Sequence, residues 1–325
     1  MKKDIHILCV GAAVQDVLLH GEVFRAKQED GQLVEEFILG EKLEIDGVTF
    51  STGGGATNAA VTFARQGLHA SFMGQIADDA PGRAVLDDLH REQVDTGSII
   101  MVDDKSTGYS VILVSPKGER TVLTYRGASH YLDSDKFDFS ELHNIPDWIY
   151  ISSLSGHYEI IDKVIMYAHE HGIKVAINPG KGELTDVDRM RYIIGEVDLV
   201  SLNKEEMQQL YEGSTPEELV RAAIKDCPVV IVTDGPNGEV AASRLEGKLV
   251  VGGMYEDVPV VDRLGAGDAF SSGFTCRIAQ GEGLVEAVKF AAANSTSVVT
   301  KMGAKTGILH EDTVLHDMPL EVKDL

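Results

Sequence analysis

Cysteine is scarce in this sequence. Cys9, Cys227 and Cys276 are the only three among 325 residues, and each lies among apolar or small residues. Their wide spacing provides neither a disulfide framework nor a CxxC metal-binding pair, which is typical of a protein in the reducing cytosol. No apolar run has the length of a membrane span, and the run at Ile5–Val10 is too short for a signal peptide. We therefore expect a cytoplasmic protein without a membrane partner.

Positive charge is also low. Lys and Arg number 29 against 52 Asp and Glu, which gives a formal net charge of −23. A surface this acidic repels nucleic acid, so we expect no nucleic-acid partner. Hydrophobic residues make up 43% of the chain, enough for a large core, and the length suits one large α/β domain or two ordinary ones.

Several common cofactor and metal motifs are absent. The turn Gly11–Asp16 lacks the second and third glycines of a dinucleotide-binding GxGxxG, which argues against a nicotinamide-dependent oxidoreductase. There is no HExxH, and His169 and His171 are two residues apart, so they do not share a helix face. The run Gly303–Thr306 resembles a P-loop but lacks its GK[ST] spacing.

The second half of the chain alternates short apolar strands with helices. This rhythm predicts a parallel sheet with helices on both faces. The expected strands are 148–152, 173–178, 197–202 and 229–233, and the expected helices lie near 158–171, 186–195, 203–212 and 216–226.

The strongest candidate for a site is Val258–Phe274, VPVVDRLGAGDAFSSGF, which we interpret as an apolar strand, a glycine turn and a helix start. Gly265 and Gly267 let the backbone approach a bound group, and the unpaired first amides of the helix form an anion site. Asp268 lies in the same turn. It is expected to act as a base toward a hydroxyl that attacks phosphorus. The alternative is an ordinary acidic residue at a helix N-terminus.

A second glycine-rich segment is Ser51–Gly67, STGGGATNAAVTFARQG. Gly53 and Gly54 permit close backbone approach to a small polar ligand, and the Asn58 amide can donate to and accept from hydroxyls. The alternative is a flexible loop before an ordinary helix. Asp16 follows the first strand, where it is either a ligand-binding residue or a turn residue.

Two shorter motifs follow apolar strands. Asn203–Glu206, NKEE, is either a capping box or a group that holds Mg²⁺ through water. Val232–Gly238, VTDGPNG, offers a hydroxyl and glycines to a nucleotide phosphate or ribose, and is otherwise a simple turn between strands.

Two segments have the alternation of strands with one solvent face, namely residues 21–50 and residues 103–127. The second contains the turn Ser115–Gly118 between two alternating runs, which predicts a hairpin. We interpret the two segments as a small β lid, in which they could pair with each other. Residues 1–20, 51–102 and 128–325 would form the core. Such a lid excludes water where phosphoryl transfer must avoid hydrolysis.

Together these motifs resemble the PfkB carbohydrate-kinase family, also called ribokinase-like, over nearly the whole chain and in the family's motif order. STGGGATNAA resembles the first family signature, DRLGAGDAF the second, NKEE the Asn-x-x-Glu motif and VTDGPNG the nucleotide-contacting turn. The resemblance implies an α/β fold with a mostly parallel central sheet, helices on both faces and a small β lid. It also implies transfer of the ATP γ-phosphate to a sugar hydroxyl.

The resemblance implies a role for each matching residue. The implied roles are Asp268 as the base; Gly265, Ala266 and Gly267 as the anion hole; Asp16, Gly53, Gly54 and Asn58 as sugar ligands; Asn203, Thr233, Gly235, Gly238 and Asn294 as nucleotide ligands; Glu206 as a ligand of Mg²⁺ through water; and Asp262, with the backbone near Gly303, as the monovalent-cation (K⁺) site of some members. Arg263 and Leu264 depart from the family, which often has small hydroxyl residues there. The run Ile177–Gly180 also departs from it, so we assign no role there.

We therefore expect an ATP- and Mg²⁺-dependent kinase. Its acceptor would be ribose, a ketohexose or 2-keto-3-deoxygluconate. The alternatives are a nucleoside kinase of the same fold and a sugar or nucleotide sensor without turnover, and the intact Asp268 argues against the sensor. In many members of the family the lid also forms a dimer contact, so the resemblance implies a homodimer through the lid.

Overall fold

The computed structural model describes residues 4–116, 118–255 and 258–325. Lys117, in the turn of the predicted hairpin, lies outside the described residues. The strands are β1 His6–Val10, β2 Val14–His20, β3 Lys27–Glu29, β4 Gln32–Val34, β5 Gly47–Gly53, β6 His69–Met73, β7 Gln75–Ala77, β8 Ile100–Val102, β9 Gly108–Val114, β10 Arg120–Tyr125, β11 Trp148–Ile151, β12 Lys174–Ile177, β13 Leu199–Asn203, β14 Val229–Thr233, β15 Glu239–Ser243, β16 Lys248–Gly252 and β17 Leu320–Asp324. The helices are α1 Gly55–Arg65, α2 Ala80–Arg91, α3 Tyr158–His171, α4 Val187–Glu196, α5 Lys204–Leu210, α6 Pro216–Ala223, α7 Ala266–Ala279 and α8 Leu284–Val299.

A nine-stranded sheet forms the centre of the molecule, in the order β17-β16-β15-β14-β13-β12-β11-β1-β6. The strands from β14 to β6 pair in parallel, whereas β15, β16 and β17 are antiparallel at one edge. Two parallel neighbours need a long crossover connection between them. Because only a short turn joins β14 to β15, β15 runs antiparallel to β14. The mostly parallel sheet expected from the sequence is confirmed.

Helices cover both faces of this sheet. Leu8 and Val10 of β1 pack on one face with residues of α3, α4, α5 and α6. Ile7 and Cys9 of the same strand pack on the other with residues of α1, α2, α7 and α8. Because successive side chains of a strand point to opposite faces, one continuous apolar strand supplies both layers of the core. No helix within the described ranges is both long and apolar enough to cross a bilayer.

Three strands of the predicted lid segments, β5, β9 and β10, form a separate four-stranded sheet with β2, in the order β10-β9-β2-β5, whereas β3 and β4 pair with each other. The two predicted lid segments do not pair directly, because β2 lies between β5 and β9. The strand pairing therefore assigns β2 and the end of β5 to the smaller sheet. The sequence analysis assigned these residues, 14–20 and 51–53, to the core. Only three residues separate β1 from β2, too few to mark a boundary in the sequence.

One further strand expectation is wrong. Residues 258–261, the apolar start of the glycine-turn motif, pair with no strand of the described chain. The Val261 amide donates instead to the Val299 carbonyl at the end of α8. The edge of the large sheet beyond β16 is already occupied by β17, so this segment has no free edge to join there.

Candidate active site

Three connected cavities open at the carboxyl ends of the parallel strands. Cavity A is lined by residues that include Thr233, Gly235, Gly238, Glu239 and Phe270. Cavity B is lined by residues that include Ser152, Asn178, Asn203 and Glu206. Cavity C lies against the lid and is lined by residues that include Asp16, Gly53, Gly54, Asn58 and Arg126. Gly267 lines both A and B, and Asp268 lines both B and C.

The first turn of α7 lies where the three cavities meet. Gly265 precedes it with a φ of 77°, and a Cβ there would lie 2.6 Å from the Ala304 Cβ, so glycine is required for both conformation and space. A Cβ on Gly267 would meet no described protein atom within 4 Å. The packing of the protein itself therefore does not require glycine at 267. The first amides of a helix have no acceptor within it, which suits the predicted anion hole at Gly265, Ala266 and Gly267. Of these amides, that of Ala266 donates to the Arg263 carbonyl outside the helix at 3.4 Å.

Asp268 lies half-buried at the junction of cavities B and C. Its Oδ2 accepts a hydrogen bond from Asn58 Nδ2 at 2.8 Å. Burial raises the pKa of Asp268, and the hydrogen bond from Asn58 partly offsets this rise. A carboxylate with a raised pKa is a better proton acceptor near neutral pH, as a base requires.

Cavity C brings together the four predicted sugar ligands. Asp16 is buried on β2, and a Cβ at Gly53 would overlap its Oδ2, so the glycine leaves room for the carboxyl. Burial raises the pKa of Asp16, while a hydrogen bond with Ser110 opposes the rise. Asn58 is also buried, and its Oδ1 has no partner among the described residues. That oxygen is an acceptor for a hydroxyl of a ligand.

Asn203 and Glu206 were interpreted either as a capping box or as a group that holds Mg²⁺ through water. They form a capping box: Asn203 Oδ1 accepts from the Glu206 amide at 2.9 Å, and Glu206 Oε2 accepts from the Asn203 amide at 3.1 Å. Both residues also line cavity B. Burial raises the pKa of Glu206. The contact with Mg²⁺ stays a prediction.

Of the predicted nucleotide ligands, Thr233, Gly235 and Gly238 line cavity A, but Asn294 does not. Asn294 is completely buried in α8, where Nδ2 donates to the Ala269 carbonyl at 2.8 Å and Oδ1 accepts from the Leu309 amide at 2.9 Å. Both ends of its amide are used within the protein, and its contact with the nucleotide stays a prediction.

The carboxyl of Asp262 is held by protein groups. It accepts from the Leu264 amide at 3.0 Å and the Gly303 amide at 3.1 Å, and it forms an ion pair with Arg120 of the lid strand β10. The sequence showed no sign of Arg120 in this position. A monovalent cation at Asp262 stays a prediction. Arg263 lines cavity A and Leu264 lines cavity C.

Lys305, in the segment that superficially resembles a P-loop, is buried away from the three cavities. Its Nζ donates to Thr52 Oγ1 at 2.7 Å and forms an ion pair with Asp88 at 3.1 Å. Burial lowers the pKa of Lys305, and the Asp88 carboxylate opposes this change. Because Thr52 precedes Gly53, the lysine ties the end of β5 to α2.

Sequence reasoning missed a buried carboxylate that organises the loops around cavity B. Glu183 is 1% exposed. Its Oε1 accepts from the amides of Leu154 and Gly156, each at 2.8 Å, and its Oε2 accepts from the Gly180 amide at 2.8 Å and Ser153 Oγ at 3.0 Å. The loops after β11 and β12 are therefore joined through one side chain. The sequence signal that could have indicated these loops is their position directly after parallel strands, because ligands bind at the carboxyl ends of such strands.

An α/β fold whose cavities meet at a carboxylate beside a helix N-terminus is suited to phosphotransfer. The family model of the pfkB family carbohydrate kinases matches residues 23–311. The chain belongs to this family, and it is a sugar kinase. Membership of a kinase family implies the use of ATP.

Individual relatives agree with this assignment. The chain is 28% identical over 276 residues to a ribokinase of Schizosaccharomyces pombe, covering 82% of this chain and 86% of that protein. It is 26% identical over 271 residues to a 5-dehydro-2-deoxygluconokinase of Bacillus subtilis, covering 78% and 83%. A solved structure of Arabidopsis thaliana ribokinase complexed with ribose and ATP has a TM-score of 0.74 at 20% identity, covering 95% of this chain and 96% of that one, which shows the shared fold.

Replacement of Glu183 by Gln should lower the free energy of unfolding by roughly 2 to 5 kcal/mol, because buried donors lose a charged acceptor. Urea unfolding measures the change. Glu159→Gln, on the exposed side of α3, is the control and should stay within about 0.5 kcal/mol of the parent. Equal urea midpoints for Glu183→Gln and the parent protein would show that the charge of the carboxylate adds no stability.

Proposed function

We propose that the protein transfers the γ-phosphate of ATP to a hydroxyl of a sugar of the ribose, ketohexose or 2-keto-3-deoxygluconate type. The observation that carries this proposal is the position of Asp268, whose carboxyl group at the start of α7 lies where cavity B meets cavity C. In this arrangement cavity A takes the nucleoside, cavity B the phosphates and cavity C the acceptor. An acceptor hydroxyl in cavity C would then lie between Asp268 and the transferred phosphoryl group.

The residues have separable tasks in this reaction. Asp268 takes the proton from the attacking hydroxyl, and Asn58 holds its carboxylate in place through the 2.8 Å hydrogen bond. The first amides of α7 stabilise the charge that develops on the transferred group. Asp16 and the Oδ1 of Asn58 orient the sugar hydroxyls.

The residues present in cavity B fit a magnesium ion. Mg²⁺ is usually held by one or two carboxylates, several waters and the phosphates of the substrate. Glu206 supplies a carboxylate to this cavity, and Asn178 and Asn203 line it as well. Within the described residues no cluster of three or more His, Cys, Asp or Glu could form an all-protein metal cage. Glu206 would hold Mg²⁺ through water, where the ion would neutralise phosphate charge.

Asp268→Asn tests the assignment of the base. We expect the turnover rate to fall by a factor of about 10² to 10⁴, because Asn cannot accept the proton. A coupled ADP-release assay over ribose, fructose, 2-keto-3-deoxygluconate and nucleosides, with and without K⁺, measures it. Calorimetry should show unchanged ATP binding.

The exposed Asp312→Asn is the matched control and should keep full activity. Undiminished turnover in Asp268→Asn would contradict the assignment. ATP binding by the parent protein without turnover on any acceptor would favour the sensor.

Arg126 favours an acidic sugar among the candidate acceptors. It lies at the end of the lid sheet and lines cavity C, and its guanidinium forms no hydrogen bond or ion pair with a described residue. Of the residues whose positions are described, it is also the only cation that lines this cavity. In a chain with a net charge of −23, such a guanidinium over the acceptor cavity suits one carboxylate, as in 2-keto-3-deoxygluconate.

Arg126→Gln should raise KM for 2-keto-3-deoxygluconate by roughly ten- to hundredfold, through loss of a charge-assisted hydrogen bond. KM for a neutral sugar should not change. Steady-state kinetics on both acceptors measures the difference. Arg126→Lys should recover part of the loss, and Lys42→Gln, an exposed cation outside the cavity, is the control. If ribose or a nucleoside is the better acceptor and Arg126→Gln has no effect, the acceptor is not a sugar acid.

Apolar side chains exposed on the lid support the predicted homodimer. Ile38 is 69% exposed, Leu39 99% and Phe50 68%, and a surface of this kind marks an interaction site. Sedimentation should show a dimer for the parent protein and a shift toward monomer for Phe50→Ser. A monomeric parent protein would rule out this dimer. The cytoplasmic location stays a prediction.

A further inference from the structure

Glu239 is a buried carboxyl group with no task in the proposed reaction. It begins β15, is 3% exposed, and lines cavity A. Its Oε1 is buried and has no hydrogen-bond partner among the described residues. A buried polar atom without a partner is rare in folded proteins and needs an explanation. Because Glu239 lines cavity A, a ligand bound in that cavity can supply the missing partner.

The neighbouring strand leaves room for this carboxyl. Gly252 lies opposite Glu239 in the pairing of β15 with β16. A Cβ at Gly252 would overlap Glu239 Oε1 and would lie 2.9 Å from Val288 Cγ1 of α8. A glycine inside a strand often marks such a close approach. The position of the carboxyl therefore depends on the absence of a side chain at 252.

The surroundings of Glu239 favour its neutral form. Burial raises the pKa of Glu239 to about 8. The residues that β14, α7 and α8 contribute to cavity A carry no charge, and Arg263, from the loop before α7, is the only basic residue of the described ranges that lines it. Tyr255, which follows β16, is a further titratable group that interacts with the carboxyl. Below about pH 8 the group is thus a carboxylic acid with one donor and one acceptor.

The residues that line cavity A suit a planar base. Met254, Val260 and Phe270 supply apolar surface, and the cavity joins cavity B through Thr233 and Gly267. A nucleotide with its phosphates in cavity B would therefore place its base in cavity A, near Glu239. We propose that the carboxyl group of Glu239 hydrogen-bonds the base and sets a preference for adenine over guanine. This inference rests on the proposed use of ATP.

The chemistry of the two bases gives the direction of the effect. Adenine presents an amino donor beside a ring-nitrogen acceptor, which matches the donor and acceptor of a carboxylic acid. Guanine presents two neighbouring N–H donors on its corresponding edge, which match an ionised carboxylate. The preference for ATP should therefore be strongest below the pKa of Glu239 and should weaken as the pH rises through about 8.

Calorimetric titration of the protein with ATP and with GTP in the presence of Mg²⁺ tests this, in the Asp268→Asn variant to prevent turnover. The ratio of the GTP to the ATP dissociation constant should fall by about tenfold or more between about pH 6 and about pH 9, since a bidentate base contact discriminates by that order. Both nucleotides carry the same triphosphate, so its own titration cancels in the ratio.

Three substitutions distinguish the effect of the carboxyl group on the nucleotide preference from the effect of the cavity's shape. Glu239→Gln keeps a donor and an acceptor but cannot ionise, so it should prefer ATP equally at both pH values. Glu239→Leu removes the polar atoms of the side chain and should bring the ratio of the GTP to the ATP dissociation constant close to one. Gly252→Ala should displace the carboxyl and reduce the preference. Glu321→Gln on β17, away from cavity A, is the control and should retain the pH-dependent ratio.

The outcomes separate this inference from the proposed function. A folded Glu239→Leu variant with the parent's ratio, or a parent ratio that is constant with pH, would overturn the role of Glu239 alone. Circular dichroism reports folding, and the nearly isosteric Glu239→Gln gives a second test if the Leu variant does not fold. A folded parent protein that binds neither nucleotide would overturn both the role of Glu239 and the kinase.

Discussion

The packing of the first turn of α7 against Ala304 is the constraint on which the site depends. Gly265 can lie against Ala304 only because it has no Cβ, and its positive φ directs the chain into the helix. Two hydrogen bonds from neighbouring helices hold this end of α7: Asn294 of α8 donates to the Ala269 carbonyl, and Asn58 of α1 donates to the Asp268 carboxylate. The amides and the carboxylate of this turn therefore meet the three cavities in one fixed orientation.

Around this turn, buried polar groups position the loops. Glu183 joins the loops after β11 and β12, Lys305 joins β5 to α2, and Asp262 joins the lid strand β10 to the loop before α7. Each supplies a buried, directional bond where a loop would otherwise have only exposed, flexible contacts. Buried polar groups of this kind are costly unless fully bonded, so they hold their loops in one arrangement. The loops around the cavities are thus connected by Glu183 and Lys305, which lie outside the family motifs, and by Asp262, which belongs to the second signature.

Electrostatics explains how an acidic chain can accept anionic substrates. The net charge of −23 repels phosphate at long range. Close to the site, the helix N-terminus, Arg263 in cavity A and Arg126 in cavity C provide local positive potential. The groups that favour anions thus converge on the cavities, which are also lined by the carboxyl groups of Asp16, Glu206 and Asp268. Screening by salt weakens the distant repulsion more than the contacts inside the cavities.

The sequence alone determined the family, the βαβ rhythm of the core and most of the cavity residues, because these are carried by local patterns. Apolar runs, glycine turns and capping boxes act over a few residues, so the motifs themselves locate Asp268, Asn58 and Glu206. Tertiary structure alone decided the contacts between distant segments: Arg120 with Asp262, the four bonds of Glu183, and the burial of Asn294. It also decided that β2 belongs to the lid sheet. The reason is physical: such contacts depend on which segments the fold brings together, and a local pattern carries no information about its distant partner.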